Sequence, residues 1–435
     1  MNMKKKFIAL AALTLLRGTV LLPWGLGAVT LEECYRLARE NYPMVRQYDL
    51  VQKLEKFSFT NAVAGYLPQV QLSGQATWQT DAVNFPEEMQ KLYKSAGLDL
   101  KGISKDQYKV TLLLSQTLWD GGATSAKKAG AKAEAELSTL SIEKEMEGLK
   151  GRINQVYFGI LALEENLASL CNSQELLRRN LEVALSGEKN GVVMRSDIDR
   201  IRVESLQIGQ RRTEIEKTIE IYRSVLSLMT GREIGEDEPL EMPSVPVVDK
   251  SRNGRIELKI FDAQMNQARA QKKAVNSYVT PRFDVFAQGW YGKPGLNMFQ
   301  DMMEDRMSWN AVVGVKMQWN ISALWTRRNN IRSIDAQTEM IGVQKDAFLW
   351  NIDLQTLQIE KEVDKMAQLQ ESDREIVSLR RSIREASESK YRNGVITINE
   401  LLQDITEENN AVQQESIHSL DMLRNIYDLK ITLGQ

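Results

Sequence analysis

Apolar and polar residues alternate along the chain directly after Pro68 and again directly after Pro281. In the first run the apolar positions are Val70, Leu72, Gly74, Ala76 and Trp78. In the second run they are Phe283, Val285, Ala287, Gly289 and Tyr291. A period of two is that of a β-strand with one apolar face. A second alternating run follows each of these and would form the returning strand. The pattern therefore predicts four strands, at about 69–80, 107–119, 282–291 and 309–320.

Strands of this length, apolar on one face and aromatic at their ends, are typical of transmembrane β-strands. The aromatic residues at the strand ends are Trp78, Trp119, Trp290, Trp309 and Trp319. In lipid every backbone polar group must be paired, and closed barrels start at about eight strands, so several chains would have to share one barrel. The alternative is a soluble four-stranded sheet packed on a helix, which the great length of the predicted helices disfavours.

Two stretches without proline, residues 87–238 and 295–435, predict long helices, because an interior proline costs a helix about 3 kcal/mol. The predicted long helices are 123–187, 197–230, 322–391 and 400–432. The two longest would each extend roughly 100 Å at 1.5 Å per residue. In the other two, apolar residues recur at intervals of three and four, which favours coiled-coil packing. The fold class is therefore predicted to be mainly α with β.

Shorter signals complete this assignment. Thr30 and Glu33 have the spacing of a capping box, so they are predicted to open the helix that Pro68 ends before the first strand. The segments 81–106 and 292–307 between paired strands carry proline and glycine and are predicted to be loops.

The second half of the chain repeats the first. Asn190-Gly191-Val192 matches Asn393-Gly394-Val395 at an offset of 203, and Gly231 matches Gly434 at the same offset. Nearer the start of each copy, Asn41 matches Asn253 at an offset of 212. A repeat of roughly 200 residues indicates a duplicated domain. The predicted domains are a signal peptide (1–28), a first repeat (29–231) with a hairpin turn at 190–193, a linker (232–252), and a second repeat (253–435) with a turn at 393–396.

The first 28 residues predict an export signal. Lys4, Lys5 and Lys6 precede an apolar run that ends in small residues near Gly27 and Ala28, which is typical of a secretory signal peptide. A retained membrane anchor is the alternative, because the run is long enough to span a bilayer. No later segment approaches 18 uncharged apolar residues, so no transmembrane helix is expected after export.

Composition disfavours several classes of function. The 435-residue chain has 56 basic and 58 acidic side chains, a net charge of −2, whereas nucleic-acid binders usually carry a basic excess. With one histidine and two cysteines, a zinc site of about four such ligands is not expected. No constellation of nucleophile and base is visible, so neither an enzyme nor a cofactor is predicted. His418 lies on a charged helix face and is expected to be solvated.

The order and duplication of these motifs resemble the TolC-like outer-membrane efflux protein family. The residues that carry the resemblance are Thr30-Leu31-Glu32 through Ala38, Asn41-Tyr42-Pro43, the strands after Pro68 and Pro281, Lys189-Asn190-Gly191-Val192, and Tyr391-Arg392-Asn393-Gly394-Val395. The resemblance implies a long α-helical coiled-coil barrel plus a four-strand contribution to a transmembrane β-barrel that is shared by a homotrimer. It also implies a protein without catalytic residues.

The function implied by the resemblance is an outer-membrane channel of a tripartite efflux or type I secretion system. Such a channel would contact outer-membrane lipid, a periplasmic adaptor and an inner-membrane pump, and its helical tunnel would lie in the periplasm. The alternative is a periplasmic coiled-coil adaptor or scaffold without a pore. No nucleic-acid partner is expected.

The resemblance also implies that the two hairpin turns dock onto the adaptor. The residues concerned are Asn190, Gly191 and Val192 in the first turn and Asn393, Gly394 and Val395 in the second. An Asn-Gly pair after a helix is also an ordinary left-handed helix end, so the turns could be structural only.

A channel gate is the second site implied by the resemblance. Glu400 and Asp404 match or adjoin its acidic ring, and Asp197 and Tyr391 match members of its closing network. The family's second acidic position holds Gln403 here, and a gate arginine is replaced by Ile396. The alternative role is helix capping, with Ser196 and Asn399 as N-caps and the acidic residues in the first helical turns.

Overall fold

The computed structural model describes residues 28–98 and 102–435. The predicted signal peptide, apart from its last residue, lies outside the described residues. The helices are α1 (Leu31–Asn41), α2 (Arg46–Ala64), α3 (Glu87–Ser95), α4 (Ala123–Lys189), α5 (Arg195–Thr230), α6 (Ile256–Ser277), α7 (Met298–Met303), α8 (Ala323–Arg392) and α9 (Ile398–Thr432). None of the helices in these ranges is long and apolar enough to cross a membrane.

The proline-free stretches contain the long helices α4, α5, α8 and α9, whose ends lie within two residues of the predicted ones. Thr30 caps α1 as predicted, because its hydroxyl accepts a hydrogen bond from the backbone N–H of Glu33 (3.2 Å). The helix before the first strand is not continuous, however. A short 3-10 turn at Pro43–Val45 separates α1 from α2, since proline cannot donate the helical hydrogen bond.

Four antiparallel strands form one sheet in chain order: β1 (Gln69–Trp78), β2 (Asp106–Trp119), β3 (Arg282–Lys293) and β4 (Ser308–Gln318). The segments predicted to be loops contain the short helices α3 and α7. Phe85, which precedes α3, packs against Tyr93 of α3 and Phe299 of α7, with ring centroids 6.4 Å apart in both pairs. Sequence reasoning missed both helices, because such short helices depend on local packing rather than on a long periodic pattern.

The register of the sheet places most of the apolar residues of the four strands on one side. Leu72 lies opposite Leu112, which lies opposite Gly289, which lies opposite Ala311. This apolar face is strongly exposed in the chain: Val313, for example, is 79% exposed. Between Thr117 and Trp119 the register shifts by a bulge. Because one extra residue is accommodated there, Trp119 pairs with Phe283 on the apolar side.

The described chain divides into two compact units, and each unit draws on both predicted repeats. The first unit consists of the residues up to Tyr42, Glu147–Ser251 and Thr356–Thr432. The second consists of Pro43–Met146, Arg252–Gln355 and Leu433–Gln435. The repeat boundaries at 29–231 and 253–435 are therefore a different division of the chain, and they stay a prediction from sequence.

In the first unit, Val29 is fully buried and forms a parallel bridge with Leu240. The Val29 N–H donates to the carbonyl of Pro239 (2.9 Å), and its carbonyl accepts from the N–H of Glu241 (3.0 Å). The hydroxyl of Tyr157, on α4, lies 2.7 Å from the carbonyl oxygens of both Val29 and Glu241. This hydroxyl therefore ties the segment before α1, the segment after α5 and α4 together.

In the second unit, Asp120 connects the sheet to the helices. One of its carboxylate oxygens accepts from the hydroxyl of Tyr66 (2.8 Å) and the N–H of Gly122 (2.9 Å), and the other accepts from the N–H of Thr124 (2.6 Å). Burial alone would raise the pKa of Asp120, but these hydrogen bonds outweigh burial and lower it. Asp120 thus caps the start of α4 and holds the residues that follow α2.

In both copies a residue at the start of the repeat contacts the residue before its closing glycine. In the first copy the Asn41 amide donates to the carbonyl of Thr230 (2.7 Å), beside Gly231. In the second copy the N–H of Gly254 donates to the carbonyl of Leu433 (2.8 Å), beside Gly434. Gly231 and Gly434 both have positive φ angles, 69° and 70°, which favour glycine. In both copies the start of a repeat is therefore fastened to its end.

We predict that Tyr157→Phe lowers the free energy of unfolding by about 1–3 kcal/mol, because the carbonyl oxygens of Val29 and Glu241 lose the single hydroxyl donor that they share. The measurement is the denaturant midpoint followed by circular dichroism. Tyr93→Phe is the matched control, since no hydrogen bond from its hydroxyl occurs within the described residues. An equal midpoint for Tyr157→Phe and wild type would contradict the bridging role of the hydroxyl.

Candidate gate and docking tips of the helical hairpins

The first hairpin turn ends α4 with a left-handed glycine. Gly191 has a φ of 76°, its N–H donates to the carbonyl of Glu188 (2.9 Å), and the N–H of Val192 donates to the carbonyl of Gly187 (3.0 Å). These two bonds form a Schellman motif, which satisfies the last carbonyl groups of a helix. Asn190 precedes this glycine, and its N–H also donates to Gly187 (3.1 Å).

The second turn ends α8 in the same way. Gly394 has a φ of 69°, its N–H donates to the carbonyl of Tyr391 (3.0 Å), and the N–H of Val395 donates to the carbonyl of Lys390 (2.9 Å). The side-chain amide of Asn393 donates to the carbonyl of Ser389 (2.9 Å). The geometry of both turns therefore agrees with the interpretation that each Asn-Gly pair forms a left-handed helix end.

Capping leaves the valine side chains of the turns without a structural role. Only the backbone N–H groups of Val192 and Val395 take part in the Schellman motifs, yet their side chains are 79% and 70% exposed. Met194, after the first turn, is similarly exposed. Each tip thus presents apolar side chains to solvent.

An apolar core lies behind the tips and joins the two hairpins. Its buried members are Leu177, Ala184, Ile198, Ile201, Ile208, Ile398, Leu401 and Ile405. Ile396, at the position of the family's gate arginine, packs against this core. At this position the described structure therefore has apolar packing between the hairpins.

Asp197 and Tyr391 lie close enough for the charge of Asp197 to affect the Tyr391 hydroxyl. Burial, and next to it the negative charge of Asp197, raises the pKa of Tyr391. The Tyr391 hydroxyl is buried and has no hydrogen-bond partner among the described residues. The two side chains are therefore neighbours that no hydrogen bond joins in this conformation.

Glu400 lies in the first turn of α9 with its side chain exposed. Its backbone N–H donates to the hydroxyl of Thr397 (3.4 Å), so Thr397 takes the capping position. The prediction that Asn399 and Ser196 are N-caps is wrong. Both residues lie inside their helices, and Met194 precedes α5 without a side-chain capping bond.

Asp404 lies one turn beyond Glu400 and is partly exposed. Within the described parts of the chain, neither carboxylate has an ion-pair partner. Gln403, between them, donates to Glu407 (2.9 Å). Neither carboxylate is therefore paired with a basic side chain of the described residues.

An ionic network near the second tip was missed by sequence reasoning. Arg384 of α8 contacts Glu408 of α9 (2.8 Å) and Glu388 of α8 (3.1 Å), and Arg392 also contacts Glu388 (2.6 Å). The spacing of four between Arg384, Glu388 and Arg392 was a visible signal. The link across to Glu408 had none, because it depends on the relative register of α8 and α9.

His418 is not solvated, so that prediction is wrong. Its Nδ1 lies 2.6 Å from a carboxylate oxygen of Asp373 on α8, and its Nε2 lies 2.7 Å from the amide nitrogen of Gln414. Both His418 and Asp373 are largely buried between α8 and α9. In the described ranges, no group of three or more His, Cys, Asp or Glu side chains could hold a metal ion.

Comparisons with known proteins point to one class. The family model described as outer membrane efflux protein matches residues 34–229. No curated protein matches the chain.

Several solved structures share the fold. The outer membrane protein VceC from Vibrio cholerae has a TM-score of 0.65 at 15% identity, covering 93% of this chain and 96% of VceC. The Campylobacter jejuni CmeC outer membrane channel has a TM-score of 0.65 at 14% identity, covering 93% and 85%. The Neisseria gonorrhoeae MtrE outer membrane channel has a TM-score of 0.66 at 13% identity, covering 93% and 88%.

The predicted fold class is confirmed by these matches, since the chain is mostly helical with a small four-stranded sheet and shares its fold with outer-membrane channels. The family and the structural matches are channel proteins and not enzymes. The match to the outer membrane efflux protein model over residues 34–229 and the shared fold over 93% of the chain agree with the predicted resemblance to TolC-like outer-membrane efflux proteins.

Proposed function

We propose that three copies of this chain form the outer-membrane channel of a tripartite efflux or type I secretion system. In this role the channel receives cargo from an inner-membrane pump through a periplasmic adaptor and releases it outside the cell. The observation that carries the proposal is the sheet, which has an exposed apolar face and two unpaired edges.

The apolar face fits contact with lipid. Its charged members lie only at strand ends, Asp106 on β2 and Lys293 on β3, while the positions between them are uncharged. Trp78 and Trp309, near the loop end of the sheet, and Trp319, directly after β4, are exposed, as in the aromatic girdles of membrane barrels. Trp290 instead lies on the polar face, opposite Thr111 and Asn310, so its predicted place in the girdle is not supported.

The edges of the sheet require other strands. Within the described residues β1 and β4 each pair on one side only, and an unpaired edge in lipid leaves backbone N–H and C=O groups unsatisfied at several kcal/mol each. Four strands are too few to close on themselves. Three copies would supply twelve strands and pair every edge.

The helices also have unpartnered seams. On α8 the exposed apolar residues Met340, Val343, Trp350, Leu354 and Leu357 follow heptad spacing. A sustained heptad seam packs against another helix in a coiled coil. In the proposed trimer a helix of the neighbouring copy covers this seam.

The tips and the acidic residues receive separate roles in this proposal. The exposed side chains of Val192 and Val395 contact the adaptor, and the backbone of Gly191 and Gly394 shapes the turns that present them. Asn190 and Asn393 help to end the helices. The turns are thus both helix caps and docking surfaces.

The gate is assigned to the other four residues. Three copies of Glu400 and Asp404 surround the axis at the periplasmic entrance, while Asp197 and Tyr391 lie near each other between the hairpins of each copy. A hydrogen bond from the Tyr391 hydroxyl to Asp197 is the contact that a more tightly closed entrance would gain.

The alternative of a soluble periplasmic adaptor or scaffold is disfavoured by the sheet. A soluble protein would need to cover an apolar face that extends over four strands, because large exposed apolar patches drive association. None of the described elements lies over that face, as the exposure of Val313, Val315 and Met317 indicates.

We predict a trimer when the protein is extracted from membranes in mild detergent, because twelve strands close the barrel. Native mass spectrometry measures this directly. A monomer that remains folded and soluble after detergent removal would contradict the channel and favour the scaffold alternative.

For the tips, we predict that Val192→Ser combined with Val395→Ser reduces adaptor binding at least tenfold, because contacts to two apolar side chains per copy are lost. Co-purification with the cognate adaptor and an export assay are the measurements. Val203→Ser, on an exposed position of α5 away from the turns, is the control. Normal adaptor binding by the double variant would leave the tips as turns only.

For the gate, we predict that Glu400→Gln reduces the cation preference of the isolated channel, because a ring of carboxylates attracts cations. The effect should be lost near 1 M salt, where the Debye length is about 3 Å. Reversal potential in a planar bilayer under a salt gradient measures it, with Glu214→Gln on α5 as the control. An unchanged reversal potential would restrict Glu400 to a role at the helix end.

A further inference from the structure

The polar face of the sheet carries an excess of positive charge. The pairing register places three basic residues and one acidic residue on this face, and its remaining members are uncharged: Lys109, Arg282 and Lys316 against Asp284. The excess is two positive charges per chain.

The single carboxylate is already engaged. Asp284 is buried, accepts from the hydroxyl of Thr117 (2.8 Å), and contacts the guanidinium of Arg282 (2.9 Å). The same guanidinium also donates to the Thr117 hydroxyl (2.7 Å). Arg282 and Asp284 therefore neutralise each other near the helix end of the sheet.

The two lysines have no such compensation. Lys316 lies opposite Asp284 in the register, and Lys109 lies opposite Gln75 and Gly292. Both are exposed, and within the described residues neither forms an ion pair. Lys316 is near the helix end of the sheet and Lys109 is near the loop end, so the charge extends along the face.

A neighbouring copy cannot supply the missing carboxylates from its edge strand. The polar face of β1 consists of Gln69, Gln71, Ser73, Gln75 and Thr77, without an acidic residue. When β1 of one copy pairs with β4 of another, Lys316 therefore meets only neutral polar side chains on that strand.

From this arrangement we infer that the lumen of the barrel is an anion-attracting region, and that Lys109 and Lys316 favour passage of solutes with anionic groups such as carboxylates. The inference rests on the proposed function, because the polar face becomes a lumen only when three copies close. The closed barrel then carries an excess of six positive charges. Low-dielectric walls lined by one sign of charge concentrate counter-ions.

The barrel and the periplasmic entrance thus carry opposite charges. In this arrangement Glu400 and Asp404 attract cations at the helical tips, whereas Lys109 and Lys316 attract anions within the barrel. Reversal potential reports both regions together, so a sided measurement is needed to isolate the lumen. A trivalent anion added on the loop side of the barrel meets the lumen before it reaches the helical entrance, so its block of conductance reports on the lumen.

The test is conductance block of the full-length trimer in a planar bilayer by citrate, added opposite to the side of protein insertion. We expect citrate to block wild type at lower concentration than the trivalent cation hexaamminecobalt does. In the double variant Lys109→Gln and Lys316→Gln the half-blocking citrate concentration should rise roughly tenfold, since surface potentials of a few kT act three times on a trivalent ion. Block should weaken in 1 M salt.

The control variant Lys53→Gln removes a lysine charge from α2, outside the sheet, and its half-blocking citrate concentration should equal that of wild type. If the double variant does not insert, the single variants Lys109→Gln and Lys316→Gln should each raise the half-blocking concentration about threefold. If the double variant, or the single variants used in its place, had the same half-blocking citrate concentration as wild type, the inference would be overturned. It would also be overturned if hexaamminecobalt blocked wild type at a lower concentration than citrate. Failure of wild type to form any channel would instead contradict the proposed function on which the inference rests.

Discussion

The constraint on which the structure depends is the pairing of backbone groups at the edges of the sheet. In the part of the chain that the structure describes, β1 and β4 each leave one side without a partner, and the apolar face beside those edges suits hydrocarbon rather than water. Hydrocarbon offers no hydrogen bonds, so an open edge is tolerated only where another strand closes it. In the proposed trimer, association of copies meets this constraint, and the proposed lumen follows from it, because closure turns the polar face inward.

The same chain meets a different requirement at the hairpin tips. There the backbone is satisfied locally by left-handed glycines at 191 and 394, so the exposed valines beside them are available for binding. Behind the tips, Ile396 packs into the apolar core that joins the hairpins, where the family has an arginine. In the proposed channel the entrance would therefore be held more by apolar packing and less by polar contacts than the resemblance implies, while the Arg384–Glu408 contact supplies an ionic link between α8 and α9.

Much of the fold was predictable because its signals are long and periodic. Alternation after Pro68 and Pro281 placed β1 and β3, and the absence of proline placed α4 and α8. Features that depend on tertiary contact were not predictable. The pairing of His418 with Asp373 requires knowing how α8 and α9 face each other, and α3 and α7 are too short for a periodic pattern. At the candidate site the two turns were correctly described as left-handed helix ends. The caps of α5 and α9 were misplaced, because both helices begin two residues earlier than predicted, so Ser196 and Asn399 lie inside them.

The most direct test of the central claim is whether the two faces of a strand meet different surroundings in a membrane. Spin labels placed singly at Val312 and Val313 of β4 differ by one residue and lie on opposite faces. In lipid vesicles that contain the assembled protein, the account predicts that the label at position 313 is accessible to dissolved oxygen and protected from a water-soluble nickel chelate. The label at position 312 should show the reverse. Equal access of the nickel chelate to both labels would contradict a lipid-facing sheet.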